Sequence, residues 1–137
     1  MATLEADLRW EGGSVLSCRS GGVQTTLDWD SHTGESPVQA LVFALAGCMA
    51  SDVVLVLEKG RQPCRGLTAR VRAERAENPP RRLLRVDIRF TVTGGVPADK
   101  VERAIRLSRE TYCSVWHSMA QDIELTTSFE VEPPPAA

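Results

Sequence analysis

Between Val38 and Leu57 the chain runs VQALVFALAGCMASDVVLVL, with Gln39, Ser51 and Asp52 as its polar interruptions. At about 1.5 Å rise per residue such a stretch is a single helix that would just cross a bilayer core of about 30 Å. Asp52 within the run, and sheet-like patterns on both sides of it, favour instead the central, buried helix of a compact fold, apolar on nearly every face. The helix ends are signalled locally. Ser36 is placed as N-cap, Pro37 at the first helical position and Gln39 as the reciprocal member of a capping box. Gly60 is expected to close the helix in the left-handed conformation that glycine adopts freely.

Elsewhere the period shortens to two. Residues 5–29 hold short alternating segments, around Leu8-Arg9-Trp10, Val15-Leu16-Ser17 and Val23 to Trp29, separated by Gly12-Gly13 and Gly21-Gly22, which predicts an antiparallel meander. Residues 30–35 form the loop into the helix. Beyond Gly60, Leu67, Ala69, Val71 and Ala73 alternate with polar residues, and after the Asn78-Pro79-Pro80 turn so do Leu84, Val86, Ile88, Phe90 and Val92, giving two strands with one wet face. Helical spacing returns from Pro97 to Tyr112, with Val101, Ala104, Ile105, Ser108 and Tyr112 as the inward stripe. A short helix capped by Ser114 follows. A strand from Ile123 to Val131 and a frayed tail at 133–137 close one α+β domain spanning residues 1–137.

Composition adds little to this picture. With 42% hydrophobic and 25% charged residues and a net charge of -2, bulk charge selects no partner. Between Arg61 and Arg89 nine Arg face three Asp or Glu, but they alternate along strands with no interleaved aromatic residue, which fits a solvated face better than a nucleic-acid surface. The N-terminus, MATLEADLRWEGG, lacks a basic region followed by an apolar stretch, so a cytoplasmic protein is expected.

The candidate chemistry is thiol chemistry. Cys18, Cys48, Cys64 and Cys113 lie 30, 16 and 49 residues apart, too far for a Cys-x-x-Cys redox motif or a zinc ribbon. Free or catalytic thiols are expected rather than a disulfide framework. A cysteine on a buried helix is usually inert, a small core residue whose apolar setting raises its pKa. Cys113 and His117 have the i, i+4 spacing that puts two side chains on one helical face, so a zinc site of Cys48, Cys113 and His117 is one reading. Asp52, four residues after Cys48 on the same face, is read as holding a dimer contact or a buried polar network rather than as an acid or base.

Three strings carry a family likeness: GESPVQALVFALAGCMASDVVLVLEKGRQ, VRAERAENPPRRLLRVDIRFTVTGG and VERAIRLSRETYCSV. Together they resemble the OsmC/Ohr family of osmotically induced and organic-hydroperoxide-resistance proteins, in a branch with a Gly-Cys-x-x-x-Asp-Val-Val centre and a Tyr-Cys-Ser second motif. The resemblance implies an OsmC-like fold, an intertwined homodimer with shared active sites, and a two-cysteine peroxidase cycle that needs no metal, flavin or other cofactor. Position by position, Cys48 matches the peroxidatic cysteine and Cys113 the resolving one. The implied cycle reduces an organic hydroperoxide at the Cys48 thiolate, condenses the resulting sulfenic acid with Cys113 into a disulfide, and returns through an external dithiol.

One departure stands out. In the hydroperoxide-resistance branch an N-terminal Arg, held by a Glu ten residues before the cysteine, stabilises the thiolate; here that position is Val38, Gln39 is neutral and Glu35 lies on the preceding loop. Arg9 and Arg19 are the N-terminal candidates for the cation. Besides peroxidase and zinc site, the resemblance leaves open a non-enzymatic protein that binds a small apolar or thiol-reactive ligand at the dimer interface.

Overall fold

The chain begins as the meander that the glycine pairs predict, with β1 (Asp7–Gly12), β2 (Val15–Ser20) and β3 (Val23–Asp28) paired antiparallel in that order. In the computed structural model, which describes residues 1–134, the expected frayed tail is described only at 133 and 134; residues 135–137 lie outside the described residues. The tight turns between strands use backbone that side chains rarely adopt: Gly12, Gly13 and Gly21 have φ of 99°, 56° and 57°. Two compact units result, Met1–Phe43 and Ala44–Ala137, with the boundary inside the long helix.

Asp28 organises the end of the first unit. Its side chain is buried (1% exposed) and accepts hydrogen bonds from the Ser14 hydroxyl at 2.6 Å, the Thr33 hydroxyl at 2.9 Å, and the backbone N–H groups of Asp30, His32 and Thr33 at 2.9, 3.3 and 2.9 Å. Those donors, the Ser14 hydroxyl first, hold its carboxyl well below the usual carboxylate range even though burial alone would raise it. The loop is thereby closed so that the Glu35 carbonyl accepts from the Asp28 N–H at 3.0 Å and the chain is delivered to its cap.

Helix α1 (Pro37–Lys59) starts as the sequence requires: Ser36 Oγ accepts from the Gln39 N–H at 3.2 Å, and Gln39 Oε1 accepts from the Ser36 N–H at 2.9 Å. Its C-terminus corrects the expectation by one residue. Arg61, not Gly60, carries the positive φ (57°), and the pair Gln62 N–H to Leu57 C=O and Arg61 N–H to Glu58 C=O, both 2.9 Å, forms a Schellman motif with Gly60 at the last half-helical position. Burial along α1 follows one stripe, Leu45, Met49, Val53 and Leu57, while Phe43 and Leu55 remain 64% and 61% exposed in the single chain.

In the second unit β4 (Gly66–Arg75) pairs antiparallel with β5 (Leu83–Thr93), and β6 (Glu124–Glu132) pairs parallel with β5, giving the order β4-β5-β6. A parallel pair needs a crossover, supplied by α2 (Ala98–Leu107), a π-turn (Ser108–Tyr112) and the single turn α3 (Ser114–His117). Val86, Ile88, Phe90 and Val92 of β5 alternate inward and are fully buried, each side chain worth roughly 1.5–3 kcal/mol. On β4 the alternation is only partly used, since Ala69 is exposed. The basic strand residues are spread over an exposed face, where Arg85, Arg89 and Arg82 pair with Glu124, Glu130 and Asp122 at 2.9, 3.2 and 2.6 Å. This is the solvated face that the alternation predicts.

Candidate active site

Two segments that are far apart in sequence supply the site, both within the second unit. On α1, Cys48 and Asp52 stand one helical turn apart on the same side, each half-buried. The opposing segment is shaped by a change of helical pitch. After Leu107 the chain widens into the π-turn, closed by the Cys113 N–H donating to the Ser108 carbonyl at 2.8 Å, five residues back. The wider turn breaks the 3.6 period, so Tyr112, expected on the inward stripe, is 54% exposed, whereas Ser108 and Cys113 are fully buried.

Ser108 ties the segments together by donating its hydroxyl to Asp52 Oδ2 at 2.8 Å. Asp52 thus joins a buried polar link, one of the two roles read from its place on the helix. The Cys48 Sγ, the Cys113 Sγ and a carboxylate oxygen of Asp52 all lie within 4.8 Å of one another. No disulfide joins the two sulfurs; all four cysteines are free thiols.

The sulfurs occupy unlike settings. Cys113 has extended backbone (φ -70°, ψ 99°) and caps α3, its Sγ accepting the Trp116 N–H at 3.3 Å. The cap is therefore Cys113 rather than Ser114, because the π-turn brings the chain to α3 one residue earlier than the regular spacing implies. Burial pushes the Cys113 thiol up to about 11, the neighbouring Cys48 adds to the rise, and the N–H groups of Trp116 and Val115 pull the other way. Cys113 is held as a protonated, enclosed thiol beside the more accessible Cys48.

Comparison with known proteins places the chain. The family model for OsmC-like protein matches residues 30–128. The chain belongs to the OsmC-like protein family. Protein YhfA of Escherichia coli (strain K12) is 36% identical over 131 residues, covering 93% of this chain and 98% of that one. Among solved structures, a hypothetical protein from Aquifex aeolicus VF5 superposes with a TM-score of 0.91 at 24% identity, covering 98% of this chain and 100% of that one. An organic hydroperoxide resistance protein OsmC from Legionella pneumophila does so with a TM-score of 0.72 at 14% identity, covering 96% and 98%. These neighbours confirm the α+β OsmC-like fold. The apolar helix is long enough to cross a bilayer, and within the single chain it buries only the stripe Leu45, Met49, Val53 and Leu57 rather than nearly every face.

Within this OsmC-like chain the zinc reading changes its members. His117 is exposed at the end of α3 while Cys113 is buried, because Cys113 lies outside the helix and the i, i+4 geometry does not apply. Among the described residues the metal-competent group is Cys48, Asp52 and Cys113. The N-terminal candidates are engaged on their own sheet: Arg9 approaches Glu11 at 3.6 Å and Arg19 donates to Gln24 Oε1 at 3.3 Å. Cys18 and Cys64 are half-buried, with only long contacts from their sulfurs to the Leu16 and Gly66 carbonyls. Sequence reasoning missed Asp28 and the Asp52–Ser108 bond. The second had a visible signal, since Ser108 and Asp52 are both polar residues on faces otherwise apolar.

Proposed function

We propose that this OsmC-like protein is a thiol-dependent peroxidase for organic hydroperoxides, with Cys48 peroxidatic and Cys113 resolving. The observation that carries the reading is the pairing of an accessible thiol with an enclosed one, 65 residues apart in sequence, with their sulfurs within 4.8 Å. Cys48 attacks the distal peroxide oxygen, the alcohol departs, and the sulfenic acid formed on Cys48 is captured by Cys113. A soluble dithiol then reduces the disulfide by exchange, at home in a reducing cytoplasm. The shared fold of the organic hydroperoxide resistance protein from Legionella pneumophila supports the substrate class.

A homodimer completes the proposal. On α1, Ala50, Ser51, Val54 and the exposed Leu55 line an open apolar groove with Leu67, a surface that a second copy of the chain covers well. Sedimentation at micromolar concentration is expected to give twice the 15.0 kDa chain mass, and a stable monomer would contradict it.

Turnover is tested by incubating the protein with cumene hydroperoxide and dithiothreitol. The expected result is one alcohol per hydroperoxide consumed, above a Cys48→Ser blank. No consumption, with an unchanged thiol count, would favour the ligand-binding alternative.

A further inference from the structure

Closing the disulfide requires a proton to move, and the geometry shows what stands in its path. The Cys113 thiol must lose a proton as its sulfur attacks, and the hydroxyl on Cys48 must gain one as it leaves. Among the described residues, Cys48 and Asp52 of α1 are the titratable groups that cluster with Cys113; α3 brings the backbone N–H groups of Val115 and Trp116, and the π-turn the Ser108 hydroxyl, bonded to Asp52. Asp52 is the one carboxylate in this set, and an oxygen of it lies within 4.8 Å of each sulfur. Apo geometry of this kind is commonly looser than the reacting complex, and one water or a small rotation spans the gap.

We propose that Asp52 is a further catalytic residue, a proton shuttle between the two cysteines during disulfide closure, with Ser108 as its positioning residue. The proposal rests on the reading of Cys48 and Cys113 as a peroxidatic and resolving pair. A lone pair on the Cys113 sulfur attacks the Cys48 sulfur, the S–S bond forms, and the S–O bond breaks with its electrons on oxygen. The Cys113 proton passes to the Asp52 carboxylate and on to the departing hydroxide, which leaves as water. The Cys113 sulfur is oxidised, the sulfenic sulfur is reduced, and Asp52 ends as it began.

Three features suit Asp52 to this task. Cys113 is buried, so a carboxylate already beside it collects its proton faster than solvent does. Its high thiol pKa makes attack as a preformed thiolate rare at neutral pH, and a base acting during attack removes that barrier. Ser108 holds one oxygen, Oδ2, and so fixes the carboxylate's orientation while leaving most of its lone pairs uncommitted, with a carboxylate oxygen within 4.8 Å of each sulfur. Ser108 serves the site twice, because its carbonyl also accepts the Cys113 N–H. The sequence alone favours a purely structural Asp52; its closeness to both sulfurs gives it chemistry.

Rapid mixing with cumene hydroperoxide, acid quench and intact mass, with a dimedone-type probe for the sulfenic acid, separates formation of the Cys48 sulfenic acid from closure. In Asp52→Asn, closure is expected to slow about 10²- to 10⁴-fold relative to that variant's own sulfenic-acid formation. Closure in that variant should also become alkali-driven, rising about tenfold per pH unit between about pH 6 and pH 9, while the wild type stays nearly flat. Ser108→Ala keeps the carboxylate and should lose less, with Ser108→Thr restoring it. Closure in Asp52→Asn as fast and as flat as in the wild type overturns the shuttle, as does unchanged closure in Ser108→Ala. Finding neither a sulfenic acid on Cys48 in Cys113→Ser nor a disulfide in the wild type would overturn the peroxidase reading itself, and the shuttle with it.

Discussion

Asp28 and Asp52 are the same residue type, set into the two units of the chain, and their surroundings give them different work. Asp28 ends a strand and accepts five hydrogen bonds from Ser14, Asp30, His32 and Thr33, which leaves no capacity for chemistry. Asp52 receives a single side-chain hydrogen bond, from Ser108, and has two sulfurs within 4.8 Å. A fully satisfied carboxylate is an anchor, since every partner it loses becomes an unpaired buried group. A carboxylate with open lone pairs beside nucleophiles can exchange protons with them. The cysteines repeat the contrast: Cys113 is enclosed and accepts the Trp116 N–H, while Cys48 is half-buried and more accessible.

The sharpest way to break this comparison is at the accessible sulfur. Cys48→Ser is expected to abolish hydroperoxide consumption, whereas Cys113→Ser should complete one turnover and accumulate a sulfenic acid detectable with a dimedone-type probe. Equal activity in both variants would erase the difference between the sulfurs. Asp28→Ala should act on stability instead, lowering the thermal midpoint by about 5 °C or more in calorimetry. Its pH signature follows from the depressed native pKa. The stabilisation is complete above the unfolded value of about 3.9 and is lost as pH falls toward the native value, so the variant's stability should vary less than the wild type's between about pH 5 and pH 2. The smallest effect belongs to the exposed pairs: Arg85→Ala should leave the urea midpoint almost unchanged, because the Arg85–Glu124 pair sits in water.

Sequence legibility tracks how local the cause is. The capping box at Ser36 and Gln39, the glycine turns of the meander and the period-two face of β5 from Val86 to Val92 each depend on residues within a few positions, and they stand in the structure as read, except that Leu83 rather than Leu84 is buried at the start of β5. Pairing of β6 in parallel with β5 depends on a crossover of some thirty residues, which no local pattern encodes. The π-turn is a harder case. It adds one residue to a helical turn, turning Tyr112 outward and making Cys113 the cap, yet its own sequence, SRETY, suits an ordinary helix. The closeness of Cys48 and Cys113 was implied by family likeness, and their spacing alone carries no such information. Arg61 in the left-handed position beside an available Gly60 shows that a Schellman motif is set by where the helix stops packing as much as by glycine.

The central claim is that Cys48 and Cys113 are chemical partners. Peptide mapping after oxidation by one equivalent of an organic hydroperoxide tests it most directly. The account predicts a single intrachain Cys48–Cys113 disulfide, with Cys18 and Cys64 left as free thiols. A Cys48 link to Cys18 or Cys64, or a Cys48 that oxidises without forming any link, would contradict it.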